Sequence, residues 1–136
     1  MKIAAFTSDT HYGHRNILQH SNRPFISIWE METQLIERYN SKIGPSDTVL
    51  WIGDCFFTNK SDAKQIMARL NGTKLVVLGN HDRNPGPMAD IGFMIAMTEC
   101  VINIAGQTVR VCHYPYEDKR YPDRCPKKSM EEMLIH

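Results

Sequence analysis

The sequence has no long apolar run, no excess of one charge and no internal repeat. A transmembrane helix needs about 20 consecutive apolar residues, and no segment of the 136 residues approaches that length. The first apolar run ends at Thr7 and Ser8, too early for a signal peptide. Lys and Arg (16) balance Asp and Glu (15), so the net charge does not indicate a polyanion partner. We therefore expect a cytoplasmic protein with no membrane partner.

Paired cysteines are also missing. The four cysteines are Cys55, Cys100, Cys112 and Cys125. None belongs to a Cys-x-x-Cys pair, which argues against a structural zinc site and against a disulfide framework. We expect reduced thiols that pack in the interior. This includes Cys55 and Cys112, although both neighbour candidate metal ligands.

Apolar runs of strand length alternate with helical patterns, which predicts an α/β fold in one domain spanning residues 1–136. Residues 2–6, 48–52 and 74–78 are predicted strands. Residues 101–104 and 108–112 flank Ala105-Gly106-Gln107, which predicts a hairpin.

Two helices are predicted between the first three strands. Ser27 and Glu30 form a capping-box pattern at the start of the first helix, and Gly44-Pro45 is predicted to end it. Ser61 is the predicted cap of the second helix, and Asn71-Gly72 its predicted end. The inward faces are predicted to carry Met31, Leu35, Ile36, Tyr39 and Ile43 in the first helix, and Ala63, Ile66, Met67 and Leu70 in the second.

Polar clusters follow the predicted strands, and ligands of open α/β sheets bind at the carboxyl ends of strands. The clustered residues are Asp9, His11, Asp54, Asn80, His81, Asp82 and His113. An extended segment would point Asp9 and His11 to the same side. Carboxylate, amide and imidazole donors suit Mn, Fe, Zn or similar ions. Asp54 is the candidate carboxylate to bridge two ions.

These motifs together resemble the calcineurin-like metallophosphoesterases. The resemblance rests on Asp9-Thr10-His11, Gly53-Asp54, Gly79-Asn80-His81-Asp82 and His113. Asp9-Thr10-His11-Tyr12-Gly13-His14, Asn16-Ile17 and Arg23-Pro24-Phe25 are similar to the small bacterial and phage branch of that family. A fixed Gly-Asn-His-Asp arises by chance on the order of once per 10^5–10^6 positions. The fold that the resemblance implies is a metallophosphoesterase-type four-layer β-sandwich flanked by helices, here lacking its C-terminal strands.

The resemblance implies two divalent metal ions, with Mn²⁺ favoured and Fe, Zn, Ni or Co as alternatives. Asp9 and His11 would bind the first ion, and Asn80 and His113 the second. Asp54 would bridge them. Two ions about 3.5–4 Å apart clamp the attacking and leaving oxygens of a phosphoryl displacement.

The implied activity is hydrolysis of a phosphate ester, with a diester favoured over a monoester. His81 would contact the phosphate and protonate the leaving oxygen, and Asp82 would orient His81. His14 and Arg23 are candidate substrate-binding residues, or they open a loop. Two other functions stay open: a catalytically silent binding or regulatory module with the same fold, and a nuclease.

One expected motif is absent: the Gly-His-x-His that supplies the family's last ligands. Met133-Leu134-Ile135-His136 resembles the segment leading into it. We expect a domain truncated before that motif. A naturally short form is a second explanation, and a gap filled by His136 or by a neighbouring subunit of an oligomer is a third. Ser129-Met130-Glu131-Glu132 has a helix-cap pattern, whereas the resemblance puts a strand near Leu134.

Residues 114–128 interleave aromatic and basic side chains, a pattern that can bind single-stranded nucleic acid. The members are Tyr114, Tyr116, Tyr121, Lys119, Arg120, Arg124, Lys127 and Lys128. Asp118 and Asp123 dilute the positive charge, so a solvated loop is the favoured interpretation.

Overall fold

Two β-sheets and four helices make up the structure, a computed structural model that describes residues 2–116, 118–124 and 133–136. In chain order the elements are β1 (Ala5–Thr7), α1 (Ile17–His20), α2 (Ile28–Asn40), β2 (Thr48–Ile52), α3 (Lys60–Ala68), β3 (Thr73–Val77), α4 (Pro85–Ile91), β4 (Ile95–Met97), β5 (Glu99–Ile104), β6 (Gln107–Cys112) and β7 (Met133–Ile135). The first sheet is parallel, in the order β1-β2-β3-β4. The second has the order β5-β6-β7. The predicted α/β class is confirmed.

The central strand β2 is buried on both faces, so its sequence is a continuous apolar run. Val49 and Trp51 pack among residues of α2, α3 and α4. Leu50 and Ile52 point the other way and pack with Val111 of the second sheet. Alternate side chains of one strand therefore hold three layers together: helices, parallel sheet and second sheet.

The capping pattern at the start of α2 is present. The Ser27 hydroxyl accepts from the Glu30 N–H at 3.1 Å, and the Glu30 carboxylate accepts from the Ile26 N–H at 2.7 Å. The predicted end of this helix was wrong: it stops at Asn40, before Gly44-Pro45. Ile43 is nevertheless buried, because the turn after the helix continues along the same face.

The predicted cap of α3 was also wrong. Asn59 is the cap, with its side chain accepting from the Asp62 N–H at 2.9 Å, and Ser61 lies inside the first turn. The inward residues were predicted correctly, since Ala63, Ile66, Met67 and Leu70 are all buried. The helix ends at Ala68, and Gly72 lies beyond it, with φ +77° in the turn into β3.

The hairpin prediction is confirmed with a shorter turn. Ala105 and Gly106 alone connect β5 to β6, and both have positive φ, as a two-residue turn of matching twist requires. Gln107 already belongs to β6. The strand expected near Leu134 is present as β7, parallel to β6, whereas the helix-cap pattern at Ser129–Glu132 lies outside the described residues.

Three elements were not predicted: α1, α4 and β4. Pro85 and Pro87 lie in the first turn of α4, which tolerates proline because its N–H groups have no intrahelical partner. With only three residues, β4 is too short to show a pattern. None of the helices in the described part of the chain has the length and apolar composition that crossing a bilayer requires.

Candidate metal centre

Polar residues from four separate loops meet at one edge of the molecule. Asp9, Asp54 and Asn80 follow β1, β2 and β3, whose carboxyl ends lie side by side because these strands are parallel. His113 directly follows β6 of the second sheet and reaches the same place, with its Nδ1 3.0 Å from the Ile52 carbonyl oxygen. The expected convergence is therefore present.

The segment with Asp9 and His11 was predicted to be extended, and this prediction was wrong. Asp9, His11 and Asp54 have φ of 51°, 51° and 50°. Such left-handed geometry costs non-glycine residues about 1–3 kcal/mol each, and it clusters at functional sites. Asp9 N–H donates to Gly53 O at 3.1 Å, and His11 N–H donates to Asp54 O at 3.0 Å. These bonds hold the first loop against the second.

Asp54 lies at the centre of the cluster, and only 5% of the residue is exposed. Its Oδ2 is 3.6 Å from His11 Nε2 and 3.9 Å from His81 Nε2. Its Oδ1 is 3.6 Å from His113 Nε2. The two oxygens of one buried carboxylate thus face two different groups of donors, as a carboxylate shared by two ions would.

Asp9, His11 and Asp54 form the first group. Each offers one ligand atom, and these atoms lie within 4.8 Å of one another. His11 and Asp54 are buried, whereas the Asp9 side chain is 54% exposed. The group is therefore fixed on the protein side and open towards solvent.

Asn80 and His113 form the second group, with 3.1 Å between Asn80 Oδ1 and His113 Nε2. The Ile52 carbonyl can only accept a hydrogen bond, so His113 Nδ1 carries the proton. Nε2 is then the ring nitrogen that faces Asn80 Oδ1 and Asp54 Oδ1. These three atoms are all possible metal ligands, and the hydrogen bond to the carbonyl orients the ring.

His14 lies against His11, with 2.9 Å between the two Nδ1 atoms. This contact leaves His11 Nε2 facing the carboxylates. Burial lowers the pKa of His11 below its ordinary 6.5, against the opposing effect of Asp54. Burial also lowers the pKa of His14. Both effects favour the neutral imidazole, which is the form that binds metals.

Arg23 bonds to the backbone of the first ligand loop. Its Nη2 donates to Asp9 O at 2.6 Å and its Nη1 to Thr10 O at 2.9 Å. Nη1 also lies 3.4 Å from Met31 Sδ of α2. The guanidinium therefore connects the strained Asp9–Thr10 backbone to the helical layer, a role that the sequence pattern did not indicate.

Asp82 makes contacts that differ from the predicted ones. Its carboxylate accepts from the N–H groups of Asp54 at 2.8 Å, Cys55 at 2.9 Å and Gly79 at 2.7 Å. Within the described residues no hydrogen bond joins it to the His81 ring, so the structure gives no contact through which it would orient that ring. Asp82 instead connects the loops after β2 and β3.

His81 lies beside Asp54 at the open side of the cluster. Its backbone N–H donates to Asp54 Oδ1 at 3.0 Å, and its side chain is 39% exposed. The ring is thus anchored next to the candidate ligands while one side remains accessible to a substrate.

Two glycines, for which no separate role was predicted from the sequence, allow this close packing. A Cβ on Gly53 would lie 2.3 Å from His113 Nδ1, and one on Gly79 would lie 2.3 Å from Asp54 Oδ1 and 2.5 Å from Asp54 N. Glycine directly before the ligand-bearing residues was the available signal, since close backbone approach is a known use of glycine.

A cavity of about 310 Å³ opens over the cluster, bounded on the other side by the loop after His113. Arg120 and Tyr121 of that loop line it, and Arg120 pairs with Asp118 at 2.8 Å. His136, the alternative ligand, is exposed after β7 and is not part of the group formed by Asp9, His11 and Asp54.

The stretch expected to interleave aromatics and cations is partly described. Tyr114 is buried and accepts a hydrogen bond from Arg124 at 3.0 Å, so neither side chain projects freely. Lys127, Lys128 and Cys125 lie outside the described residues. Cys55 and Cys112 are buried, as expected of packed thiols, and burial raises the pKa of the Cys55 thiol.

Relatives of the chain come from archaea, phages and bacteria. It is 38% identical to the uncharacterized protein MJ1445 of Methanocaldococcus jannaschii over 85 residues, which cover 61% of this chain and 48% of that protein. It is 35% identical to the Gene 66 protein of Mycobacterium phage L5 over 88 residues, covering 61% of this chain and 41% of that protein. The chain thus spans about half the length, or less, of these curated relatives. No protein-family model matches it.

A solved structure has a similar fold. The crystal structure of AQ665, a protein of unknown function from Aquifex aeolicus, superposes with a TM-score of 0.71 at 29% sequence identity. The match covers 88% of this chain and 68% of AQ665. The arrangement of sheets and helices is therefore shared with a protein whose structure was determined by experiment.

Proposed function

We propose that this chain is a metal-dependent phosphoesterase related to the calcineurin-like metallophosphoesterases, acting on a diester in preference to a monoester. One observation supports this above all: the buried Asp54 carboxylate has one oxygen near His11 and the other near His113. A carboxylate whose two oxygens face two separate groups of possible ligands is suited to hold two divalent ions side by side.

The donor atoms fit such ions by their chemistry. Asp9 and His11 would hold one ion, Asn80 and His113 would hold the other, and Asp54 would be shared. Oxygen and imidazole donors without a thiolate suit Mn²⁺, Fe, Zn, Ni or Co, and the family resemblance favours Mn²⁺ among them. Bound there, the ions would supply an acidified water as nucleophile and would neutralise charge on the phosphoryl group.

The protein's own groups supply positioning and a proton. His81 is partly exposed beside Asp54, so its imidazole would meet the phosphoryl oxygens and donate a proton to the leaving oxygen. Asp82 would hold the loop of Asp54 against the loop of Gly79, because its carboxylate accepts hydrogen bonds from three backbone N–H groups of these loops.

His14 and Arg23 would support the candidate ligands Asp9 and His11 without binding an ion themselves. His14 contacts the His11 ring, and Arg23 holds the carbonyl groups of Asp9 and Thr10. We propose that both residues support the ligand loop, and that substrate contact by either one is secondary.

Turnover and metal content test the proposal together. We expect manganese-dependent hydrolysis of bis(p-nitrophenyl) phosphate, faster than that of p-nitrophenyl phosphate. Asp54→Asn should abolish it and His81→Ala should reduce it by about 100-fold or more. Asp90→Asn, which removes an exposed carboxylate of α4, is the matched control and should keep full activity.

The same measurements distinguish the other functions. A chain that binds two equivalents of manganese and hydrolyses neither ester would be a binding module. Cleavage of single-stranded DNA without hydrolysis of the small diester would favour a nuclease. No manganese binding and no turnover would contradict the phosphoesterase proposal.

A further inference from the structure

Phe57 is an exposed aromatic side chain at the rim of the candidate metal centre. It follows Asp54 by three residues, and 48% of it is exposed, whereas the neighbouring Phe56 is buried in the core. Phe57 is not a member of either core cluster among the described residues. Its exposed ring therefore contributes little to the fold.

Two histidine rings of the site contact Phe57. The His14 ring stacks on it with centroids 4.2 Å apart and 28° between the planes. The His81 ring meets it nearly edge-on, with centroids 5.4 Å apart and 79° between the planes. Because His81 Nε2 is 3.9 Å from Asp54 Oδ2, the phenyl ring lies one side chain away from the candidate ligands.

We propose that Phe57 is a stacking platform for a planar aromatic group of the substrate, and that the preferred esters are nucleoside phosphate esters. This rests on the proposed phosphoesterase function. His14 covers one face of the phenyl ring, so a nucleobase on the side away from His14 extends an existing stack. Stacking between a base and an aromatic side chain tolerates any base, because every base has a π-face.

The position of the ring also argues for a planar group over an alkyl chain. The phenyl plane is inclined by only 28° to the His14 ring, and aromatic rings prefer offset-stacked or edge-to-face partners. A flexible alkyl group would gain only contact area from the ring. A phosphate held near Asp54 and His81 would therefore have its attached nucleoside within reach of Phe57.

Binding measurements test the platform without requiring turnover. Titrate the manganese-loaded protein with adenosine 5′-monophosphate and with glycerol 3-phosphate. In Phe57→Leu, which keeps an apolar side chain without the ring, the nucleotide should bind at least roughly fivefold more weakly, and glycerol phosphate should bind as before. Phe57→Tyr keeps the ring and should retain the nucleotide preference. Trp29→Leu, at an aromatic residue that is 72% exposed on α2, is the control and should match the wild type.

Hydrolysis of a dinucleoside monophosphate and of glycerophosphoethanolamine separates the two proposals. Manganese-dependent turnover with the same substrate preference in wild type and Phe57→Leu would overturn the platform alone. A preference for the nucleotide in binding that depends on Phe57, without turnover of any ester, would retain the platform and contradict the enzyme. Equal weakening of both ligands in Phe57→Leu would also overturn the platform.

Discussion

At the residue scale, Asp54 is the carboxylate on which the proposed pair of ions depends. Its two oxygens lie between His11 and His113, and Asp54→Asn keeps the shape and the oxygen that accepts from the His81 N–H. Loss of a residue behind the metal ligands costs about 10–100-fold in metal affinity, so loss of the shared ligand should cost at least about 100-fold. Calorimetric titration with Mn²⁺ measures this.

The control for Asp54→Asn is Asp90→Asn, which removes a surface carboxylate that pairs with Lys60. Exposed ion pairs contribute little to stability because solvent screens them, and the variant should bind manganese like the wild type. Unchanged manganese affinity in Asp54→Asn would contradict the proposed role of Asp54 as a metal ligand.

Arg23 gives a second prediction at this scale. Two nitrogens of its guanidinium donate to the Asp9 and Thr10 carbonyls. Arg23→Lys replaces this planar group with one compact ammonium, which cannot reproduce both bonds in the same geometry. We expect about tenfold weaker manganese binding without any substrate present, and a loss of about 2 kcal/mol of unfolding free energy in urea.

Arg15→Lys is the matched control for Arg23, because Arg15 is exposed in the same loop region. A role restricted to substrate binding would give a different result: metal affinity in Arg23→Lys would be unchanged, and only KM for the ester would rise.

At the element scale, the loops after β2 and β3 must approach each other closely. A Cβ at Gly79 would meet the Asp54 backbone nitrogen at 2.5 Å, which no side-chain rotation can relieve. Gly79→Ala should therefore lower the unfolding free energy by about 2–4 kcal/mol and weaken metal binding. Gly86→Ala in α4, where a Cβ meets nothing within 4 Å, should be neutral or stabilising. Equal stability of the two variants in urea would contradict the close approach.

The elements that sequence patterns predicted well are those buried on a regular face. Every residue of β2 was assigned, because a strand covered on both faces must be apolar throughout. The cap of α3 was misassigned because Asn59 and Ser61 can both cap, and only the path of the chain decides between them. The helix α4 was not predicted, because prolines occur in the first turn of a helix and also in loops.

The convergence of the candidate residues was predictable from the sequence, whereas their geometry was not. Asp9, Asp54 and His113 lie together as their positions after strands suggested. The left-handed backbone at Asp9 and His11 was not foreseen, since bonds to the Gly53 and Asp54 carbonyls impose it from a distant segment. Asp82 was predicted to contact His81, and Arg23 was a candidate to contact the substrate. Both instead bond to backbone groups of distant loops, and a sequence pattern does not reveal such partners.

At the scale of the whole molecule, the candidate ligands come from both sheets. Asp9, Asp54 and Asn80 lie in loops that follow strands of the parallel sheet, whereas His113 follows β6 of the second sheet. Between them the sheets share an apolar layer that includes Leu50, Val77 and Val111. Ions held by residues of both sheets would therefore add a polar connection at the edge of that layer, and separation of the sheets would break it.

Metal binding should consequently stabilise the fold. A ligand that binds only the folded state adds RT ln(1 + [L]/Kd), about 2.7 kcal/mol at 100 times Kd. We expect manganese to raise the urea midpoint of the wild type by a corresponding amount and to slow hydrogen exchange in β5 and β6. His113→Ala should lose most of this gain, because it removes the ligand from the second sheet. His20→Ala, at an exposed histidine of α1, should keep the full gain. A manganese effect of equal size in the two variants would mean that the ions do not connect the sheets, even if they bind.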